Sequence, residues 1–308
     1  CNEKYGLGVT AADILITTGS QQALDLIAKV TLDPGDGVIV EEPGYLGALQ
    51  TFLQYAPTFH PVALSEDGLD VEGLASALAA PQVKFIYTVP NFQNPTGLTY
   101  SVQNREAVYH VIRDKNVILI EDDPYGELRF DGKTLPYIAA GRFDNCILLG
   151  SFSKTATPGM RVGYLVCKNA ELLETIAAAK ESSDVHTSVL SQYVLYDYLT
   201  HNDYDGHIAE IRALYESQCK TMLDAMAECF PASVSYTRPD GGMFIWCTLP
   251  EGKTALDFFY EAVECKVAVA PGDPFYTAPR AVRTFRLNYT NASKEEIREG
   301  IHRLGTLL

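Results

Sequence analysis

Lys154 is the residue whose surroundings point most directly to covalent chemistry. It follows an apolar run that starts at Cys146, and Ser151 and Ser153 are its near neighbours. A lysine amine in a polar cleft can form a Schiff base with a carbonyl group. Arg161, seven positions later, precedes another apolar run and could return to the same end of a sheet to bind a phosphate. A single lysine is more often a surface charge, so this interpretation needs support from elsewhere in the chain.

A second candidate site begins at Gly19, where a Gly-Ser turn leads into the apolar positions of a helix. The free backbone amides at Ser20 and Gln21, together with the helix dipole, can bind one phosphate group. An ordinary helix N-cap is the commoner role of a serine at such a position. This motif alone therefore leaves phosphate binding open.

Three acidic residues, Glu121 to Asp123, follow a buried strand that we predict for Val117 to Ile120. Carboxylates at the C-terminal end of a strand lie where open α/β sheets bind their ligands. Such a group could bind a metal, form a salt bridge or accept a hydrogen bond from a protonated ring nitrogen. A solvated acidic loop explains the same pattern equally well.

The elements that must position these residues can be read from the hydrophobic pattern. Short apolar runs rich in β-branched residues alternate with helical patterns, which is typical of a mostly parallel sheet covered by helices. These runs are Val38 to Val40, Val83 to Tyr87, Val117 to Ile120, Ile147 to Leu149 and Val162 to Val166.

The pattern changes from about Ile208 onward. We predict a long amphipathic helix there, strands near 243–249 and 284–289, a helix near 254–264, and a final helix after Ser293 in which Glu296 completes a capping box. The predicted organisation is a large α/β domain of residues 1–195 followed by a smaller α+β domain of residues 196–308.

Composition argues against several classes of function. Among 308 residues, 39 acidic and 24 basic side chains give a formal net charge of −15, which disfavours extended binding to nucleic acid. No run reaches the roughly 18 apolar residues that a membrane-spanning helix requires.

Seven scattered cysteines indicate reduced thiols, and six histidines without metal-site spacing predict no metal site. The chain starts at Cys1 without a signal-peptide pattern, so we expect a cytoplasmic protein that lacks part of its N-terminal segment.

Six motifs follow one another along the chain. They are Gly19-Ser20-Gln21, Glu42-Pro43-Gly44-Tyr45, Asn94-Pro95-Thr96-Gly97, Asp122 with Tyr125, Ser151 to Lys154 with Arg161, and Arg286 within Phe285 to Tyr289. In this order they resemble the pyridoxal-phosphate-dependent aminotransferases of fold type I, class I/II. The stretches 121–130, 184–192 and 240–246 are most similar to the 2-aminoadipate and kynurenine aminotransferase group. The resemblance implies a three-layer α/β large domain on a mostly parallel seven-stranded sheet, with a smaller α+β C-terminal domain.

The resemblance also implies roles for individual residues. Lys154 would bind the cofactor aldehyde and act as general base and acid. Asp122 would face the pyridine nitrogen, whose protonated form lets the cofactor act as an electron sink. Lys154, Asp122 and Tyr45 would be the catalytic residues, and Tyr45 would stack on the ring. Asn94 and Tyr125 would hydrogen-bond the phenolate oxygen of the ring.

The anion-binding residues follow from the same resemblance. The cofactor phosphate would contact Ser20, Gln21, Ser151, Ser153 and Arg161. Arg286, with Asn94, matches the family's site for the substrate α-carboxylate, for which a planar guanidinium is suited. We expect a homodimer that exchanges an amino group between an L-amino acid and a 2-oxo acid, with 2-oxoglutarate as acceptor, in a ping-pong cycle.

Alternatives stay open at this point. The same scaffold could carry a β-lyase or a decarboxylase, because the pocket decides which bond breaks. The chain could also be the effector-sensing domain of a winged-helix transcription regulator, whose DNA-binding part would precede Cys1. The substrate side chain is open as well, since spacing assigns no second arginine to it.

Overall fold

Eight strands form the larger sheet of the computed structural model, which describes residues 2–140, 142 and 144–308. In chain order they are β1 (Ile14–Thr17), β2 (Gly37–Glu42), β3 (Thr58–Ser65), β4 (Gly68–Leu69), β5 (Val83–Thr88), β6 (Ile118–Asp122), β7 (Cys146–Ser151) and β8 (Gly163–Cys167). Their spatial order is β1-β8-β7-β6-β5-β2-β3-β4. The strands from β7 to β3 pair in parallel, and the pairings at both ends of the sheet are antiparallel.

Each predicted apolar run coincides with a strand of this sheet, although Val117 and Val162 lie one residue before β6 and β8. The sheet has the expected seven strands and one more, because β4 turns back on β3 through a tight turn at Glu66 and Asp67 and pairs with it antiparallel. Strands β5, β6 and β7 end next to one another, so the loops that follow them meet at the carboxyl ends of these strands.

Helices cover both faces of the larger sheet. The helices in this part of the chain are α1 (Asn2–Tyr5), α2 (Ser20–Thr31), α3 (Leu46–Leu53), α4 (Val71–Ala77), α5 (Val102–Ile112), α6 (Ala170–Asp184) and α7 (Val189–His201). Val38 of β2 packs in one core with residues of α2, α3 and α6, whereas the next residue, Ile39, packs in another with residues of α4 and α5. Successive side chains of a strand point to opposite faces, so this sheet forms the middle of three layers.

Local sequence signals account for where several helices begin. The side chains of Ser101, Asn169 and Thr254 accept hydrogen bonds from backbone amides at the starts of α5, α6 and α9 (Ala255–Glu264). These residue types are preferred N-caps because their oxygens satisfy amides that lack a partner within the helix. Three short 3-10 helices lie at Ala11–Asp13, Gly126–Leu128 and Asp273–Phe275.

A smaller antiparallel sheet follows in the C-terminal part of the chain. It contains β9 (Ser235–Tyr236), β10 (Phe244–Thr248), β11 (Ala270–Pro271) and β12 (Thr284–Asn288), in the order β11-β12-β10-β9. The remaining helices besides α9 are α8 (Tyr204–Cys229) and α10 (Lys294–Gly305), and all three enclose a separate core with this sheet. The predicted capping box is confirmed, since Ser293 and Glu296 exchange backbone-to-side-chain hydrogen bonds of 2.8 and 3.2 Å.

Within the described ranges, no helix is both long enough and apolar enough to cross a membrane.

Candidate active site

A cavity of about 190 Å³ lies at the carboxyl ends of strands β5, β6 and β7. All ten residues predicted to bind the cofactor line it, namely Ser20, Gln21, Tyr45, Asn94, Asp122, Tyr125, Ser151, Ser153, Lys154 and Arg161. Tyr87, Val89 and Pro124 also line it, and the sequence did not predict them as site residues. The predicted substrate ligand Arg286 touches this group of residues through Asn94.

Asp122 is the last residue of β6, and only 2% of it is exposed. Its Oδ2 accepts a hydrogen bond of 2.8 Å from the Tyr87 hydroxyl. Its Oδ1 is buried and has no hydrogen-bond partner among the described residues. Burial raises the pKa of Asp122 to about 7, while the Tyr87 hydrogen bond opposes this rise. A buried acceptor without a donor is costly, so the carboxylate fits a ligand that brings an N–H group.

Tyr87 is a buried strand residue whose hydroxyl group donates the hydrogen bond to Asp122. It pairs with Ile120 in the parallel register of β5 and β6. Ile120 stands two residues before Asp122 in the chain. Burial and the negative charge of Asp122 raise the pKa of Tyr87 well above its usual value, so its hydroxyl stays a hydrogen-bond donor. The sequence signal for this role was a hydroxyl-bearing ring near the end of a mostly apolar run.

Lys154 follows β7 and lies half-buried in the cavity wall. Burial lowers the pKa of its amine, and the positive charges of Arg161 and Arg286 lower it further. A lower pKa increases the neutral fraction of the amine, which is the form that attacks a carbonyl group or accepts a proton. The position and the surrounding charges therefore suit a nucleophile or a base.

Arg161 and the start of α2 form a positively charged end of the cavity. Arg161 Nη1 donates to Ser153 Oγ at 3.3 Å, and the Ser153 amide donates to Ser151 Oγ at 3.2 Å. Gly19 precedes α2 with a φ of 77°, and a Cβ atom there would meet Arg161 Nη2 at 2.6 Å. Free helix amides, a guanidinium and two hydroxyls thus converge, which suits a phosphate group.

Two tyrosines supply aromatic surface and hydroxyl groups. Tyr45 immediately precedes α3, and its hydroxyl lies 3.5 Å from Oε1 of Gln21. Tyr125 is buried and packs edge-to-face on Phe244, with ring centroids 5.9 Å apart. Burial raises the pKa of both tyrosines, so both hydroxyls remain donors near neutral pH. Such groups suit a flat ring that carries an oxyanion.

Arg286 lies on β12, so the smaller sheet contributes to the site. Its Nη1 donates to Asn94 Oδ1 at 2.6 Å. The guanidinium carbon is 4.2 Å from the centre of the Phe244 ring and 5.2 Å from that of Phe275. Neither aromatic ring was predicted from the sequence, and both stabilise the planar cation. A guanidinium in this setting is suited to bind a carboxylate through two N–H groups.

Known proteins with similar sequences and structures agree with the chemistry that this geometry suggests. The chain matches the family model described as aminotransferase class I and II over residues 2–304. It is 39% identical over 308 residues to aromatic-amino-acid aminotransferase 1 of Thermococcus litoralis, covering 98% of this chain and 74% of that protein. It is 39% identical over 307 residues to the 2-aminoadipate transaminase of Thermus thermophilus, covering 98% and 77%. The solved structure of Pyrococcus horikoshii kynurenine aminotransferase has a TM-score of 0.93 at 40% identity, covering 99% of this chain and 76% of that one.

The chain therefore belongs to the class I and II aminotransferases. It is an enzyme of fold type I that uses pyridoxal 5′-phosphate to transfer an amino group. A helix-turn-helix transcription regulator of Escherichia coli, itself uncharacterized, is 33% identical over 98% of this chain and 65% of the regulator. Because this similarity is lower than that to the aminotransferases, the comparisons favour the enzyme over the regulator domain.

Proposed function

We propose that the enzyme exchanges an amino group between an L-amino acid and a 2-oxo acid, with 2-oxoglutarate as acceptor, in a ping-pong cycle. One observation carries the site assignment. Asp122, whose buried Oδ1 has no donor in the described part of the chain, lines the same cavity as the half-buried Lys154. A protonated ring nitrogen would satisfy Oδ1, and an aldehyde on the same ring would meet an amine with a lowered pKa.

We assign each residue of the cavity a role that follows from its charge and its hydrogen-bonding groups. When bound, pyridoxal phosphate withdraws electrons from the substrate α-carbon. We assign Asp122 to holding the ring proton, and Lys154 to holding the cofactor and then moving a proton at the α-carbon through Nζ. Tyr45 covers the ring, and Tyr125 and Asn94 bind its oxyanion.

Charge also assigns each of the two anionic groups to its own arginine. We assign the phosphate to Arg161, the two serine hydroxyls beside it and the amides of Ser20 and Gln21. Arg286 with Asn94 binds the substrate α-carboxylate. For the substrate we propose an amino acid with a large side chain, because the similar proteins are named for aromatic amino acids, 2-aminoadipate and kynurenine.

Reduction with borohydride tests the cofactor anchor. After addition of pyridoxal phosphate, we expect visible absorption and, after reduction, one modified peptide that contains Lys154. Lys168→Ala should label like the parent, whereas Lys154→Ala should lose both the label and transamination. A folded parent that carries no adduct at Lys154 would contradict the site assignment.

Kinetics separate transamination from the alternatives. We expect a large L-amino acid to bleach the cofactor absorption and to release its 2-oxo acid, and double-reciprocal plots against 2-oxoglutarate to be parallel. Release of pyruvate and ammonia instead would indicate a β-lyase. Bleaching without turnover would indicate a sensor domain.

We also propose that the enzyme is a homodimer. Helix α7 exposes large apolar side chains, with Leu190 76% and Tyr193 69% exposed, and apolar surface of this kind usually marks an interface. Leu190→Glu should reduce the mass measured by sedimentation from twice the 33.8 kDa of the chain to that of one chain. Leu214→Glu, on the exposed side of α8, is the matched control and should leave the mass unchanged. A parent that sediments as one chain would contradict the dimer.

We propose a division into residues 1–195 and 196–308, supported by the separate cores of the two sheets. We further propose a cytoplasmic location. It is supported by six unpaired cysteines among the described residues, most of them buried, as is usual for a reducing compartment.

A further inference from the structure

Gln93 is fully buried, and its side-chain amide uses every hydrogen-bonding position that it has. Nε2 donates to Glu41 Oε2 and to the backbone oxygen of Pro43, both at 2.9 Å. Oε1 accepts from the amide of Thr96 at 2.9 Å and from its hydroxyl at 2.6 Å. An amide group has two N–H donors and two acceptor lone pairs, so this one is saturated.

Glu41 is buried to the same degree, with 1% of the residue exposed. Its Oε1 accepts from the Val89 amide at 2.8 Å and from the Tyr100 hydroxyl at 2.5 Å, and its Oε2 accepts from Gln93. A buried carboxylate is tolerated where several donors satisfy it, as they do here. The bonds connect the end of β2 with the segment that follows β5.

The two connected segments each carry a residue of the active site. Pro43 stands two residues before Tyr45, and Thr96 stands two residues after Asn94. Asn94 in turn accepts the 2.6 Å hydrogen bond from Arg286. Neither Glu41 nor Gln93 lines the cavity itself. Any effect that they have on the reaction therefore acts through the residues that they hold.

We propose that Glu41 and Gln93 form a buried brace that fixes the Asn94 segment against the Tyr45 segment and thereby positions the ring-binding and carboxylate-binding groups for amino transfer. This inference rests on the proposed function of the same cavity. Glu41 and Gln93 are positioning residues in it. Without the brace, both segments keep their covalent connections but lose the four hydrogen bonds between them. These are the bonds of Glu41 with Val89, Gln93 and Tyr100, and the bond of Gln93 with Pro43.

The test compares Gln93→Met with Gln218→Met in the cofactor-loaded enzyme. Methionine is close in volume to glutamine and cannot form these bonds. Gln218 is also buried and donates to the Ala292 backbone oxygen at 2.7 Å, in the core of the smaller sheet. Gln93→Met should melt at a lower temperature than the parent, because it loses four buried hydrogen bonds. Gln218→Met loses one and shows the effect of replacing a buried glutamine away from the cavity.

Only Gln93→Met should change the site. We expect its kcat/KM for the amino acid to fall about 10- to 100-fold with a higher KM, and the absorption of the bound cofactor to shift, because small displacements of positioned groups are costly. Gln218→Met should keep the parent's kcat/KM and absorption. A folded Gln93→Met with the parent's kcat/KM, KM and absorption would overturn the brace.

An exchange of the acid and the amide keeps the test decisive if Gln93→Met does not fold. Gln93→Glu alone sets two carboxylates against each other and should impair kcat/KM. Combined with Glu41→Gln, it restores one N–H···O bond between the two positions, so kcat/KM should recover by about fivefold or more relative to Gln93→Glu alone. A double variant no better than Gln93→Glu would overturn the brace. A parent that lacks cofactor absorption and transamination would instead contradict the proposed function itself.

Discussion

Replacing Tyr87 by phenylalanine tests what keeps the Asp122 carboxylate charged. The Tyr87 hydroxyl donates to Oδ2 at 2.8 Å, and Oδ1 has no partner among the described residues. A hydrogen bond to a charged group contributes about 1.5–3 kcal/mol, and one pKa unit corresponds to about 1.4 kcal/mol. Loss of the hydroxyl should therefore raise the pKa of Asp122, already about 7, by about one to two pH units.

This change has a calculable effect on cofactor binding. If the pKa of Asp122 rises to about 8.5, its ionised fraction at pH 7.5 falls from about three quarters to about one tenth. Because we assign the binding of the ring proton to the ionised form, the affinity for pyridoxal phosphate at pH 7.5 should fall about eightfold.

The titration can be followed in the cofactor-free protein by the infrared band of the protonated carboxyl group. Burial also raises the pKa of Glu41 and Glu121 to about 7, so subtraction of the Asp122→Asn spectrum is needed to identify the Asp122 band. Tyr55→Phe is the matched control, because Tyr55 donates to Asp25 Oδ1 at 2.7 Å and does not line the cavity. If Asp122 titrates at the same pH in Tyr87→Phe as in the parent, the reasoning is refuted.

Three more predictions concern the carboxylate ligand, the turn after Asn94 and the dependence of stability on pH. Arg286→Lys should raise the KM for the amino acid by about 10- to 100-fold in steady-state assays, because lysine cannot bind a carboxylate through a planar fork. Gly97→Ala should lower the free energy of unfolding in urea by about 1–3 kcal/mol, because φ is +72° and the new Cβ would meet the backbone oxygen of Phe244 at 2.4 Å. Burial raises the pKa of Asp122 from 3.8 to about 7, so the folded protein retains a proton that the unfolded chain releases. The cofactor-free parent should therefore lose stability relative to Asp122→Asn as the pH rises from about 4 to about 7, and the difference should stay constant above that range.

Each of these predictions has a control and a contrary result. Arg283→Lys changes a neighbouring arginine on the same segment and should leave the KM unchanged, and an unchanged KM in Arg286→Lys would contradict the carboxylate assignment. Gly252 also has a positive φ, of +90°, but open space around its Cβ position. Gly252→Ala should therefore cost less than Gly97→Ala, and equal costs would remove the steric argument. A parent that gains stability relative to Asp122→Asn between about pH 4 and pH 7 would reverse the sign derived for Asp122.

The centre of the larger sheet is easier to predict from the sequence than its edges. Strands β5, β6 and β7 lie between helical layers, so they read as nearly continuous apolar runs. Strand β3 carries Pro61 and alternates exposed with partly buried positions, and β4 has two residues. A strand of two residues is too short to show a periodicity, so no sequence signal marks β4, the strand beyond the seven expected.

The cavity residues were predictable where they stand in loops with unusual polar sequences. Lys154, Arg161 and Asn94 belong to such motifs, and the structure brings them to one cavity. Phe244 was not predictable as a site residue, because an aromatic residue in an apolar segment reads as core. Phe275 was not predictable either, because it stands in a loop rich in glycine and proline. Their contact with Arg286 depends on pairing within the smaller sheet and on the fold of the segment after β11.

Gly19 limits how this site can change by mutation. An alanine at position 19 would face two separate obstacles, the backbone φ of 77° and the Arg161 guanidinium 2.6 Å from the new Cβ. Shortening Arg161 removes the second obstacle, leaves the first and weakens the anion site. Single substitutions therefore offer no neutral route away from glycine at this position. A library randomised at position 19 and selected for transamination should return glycine, even though the glycine itself carries no functional group.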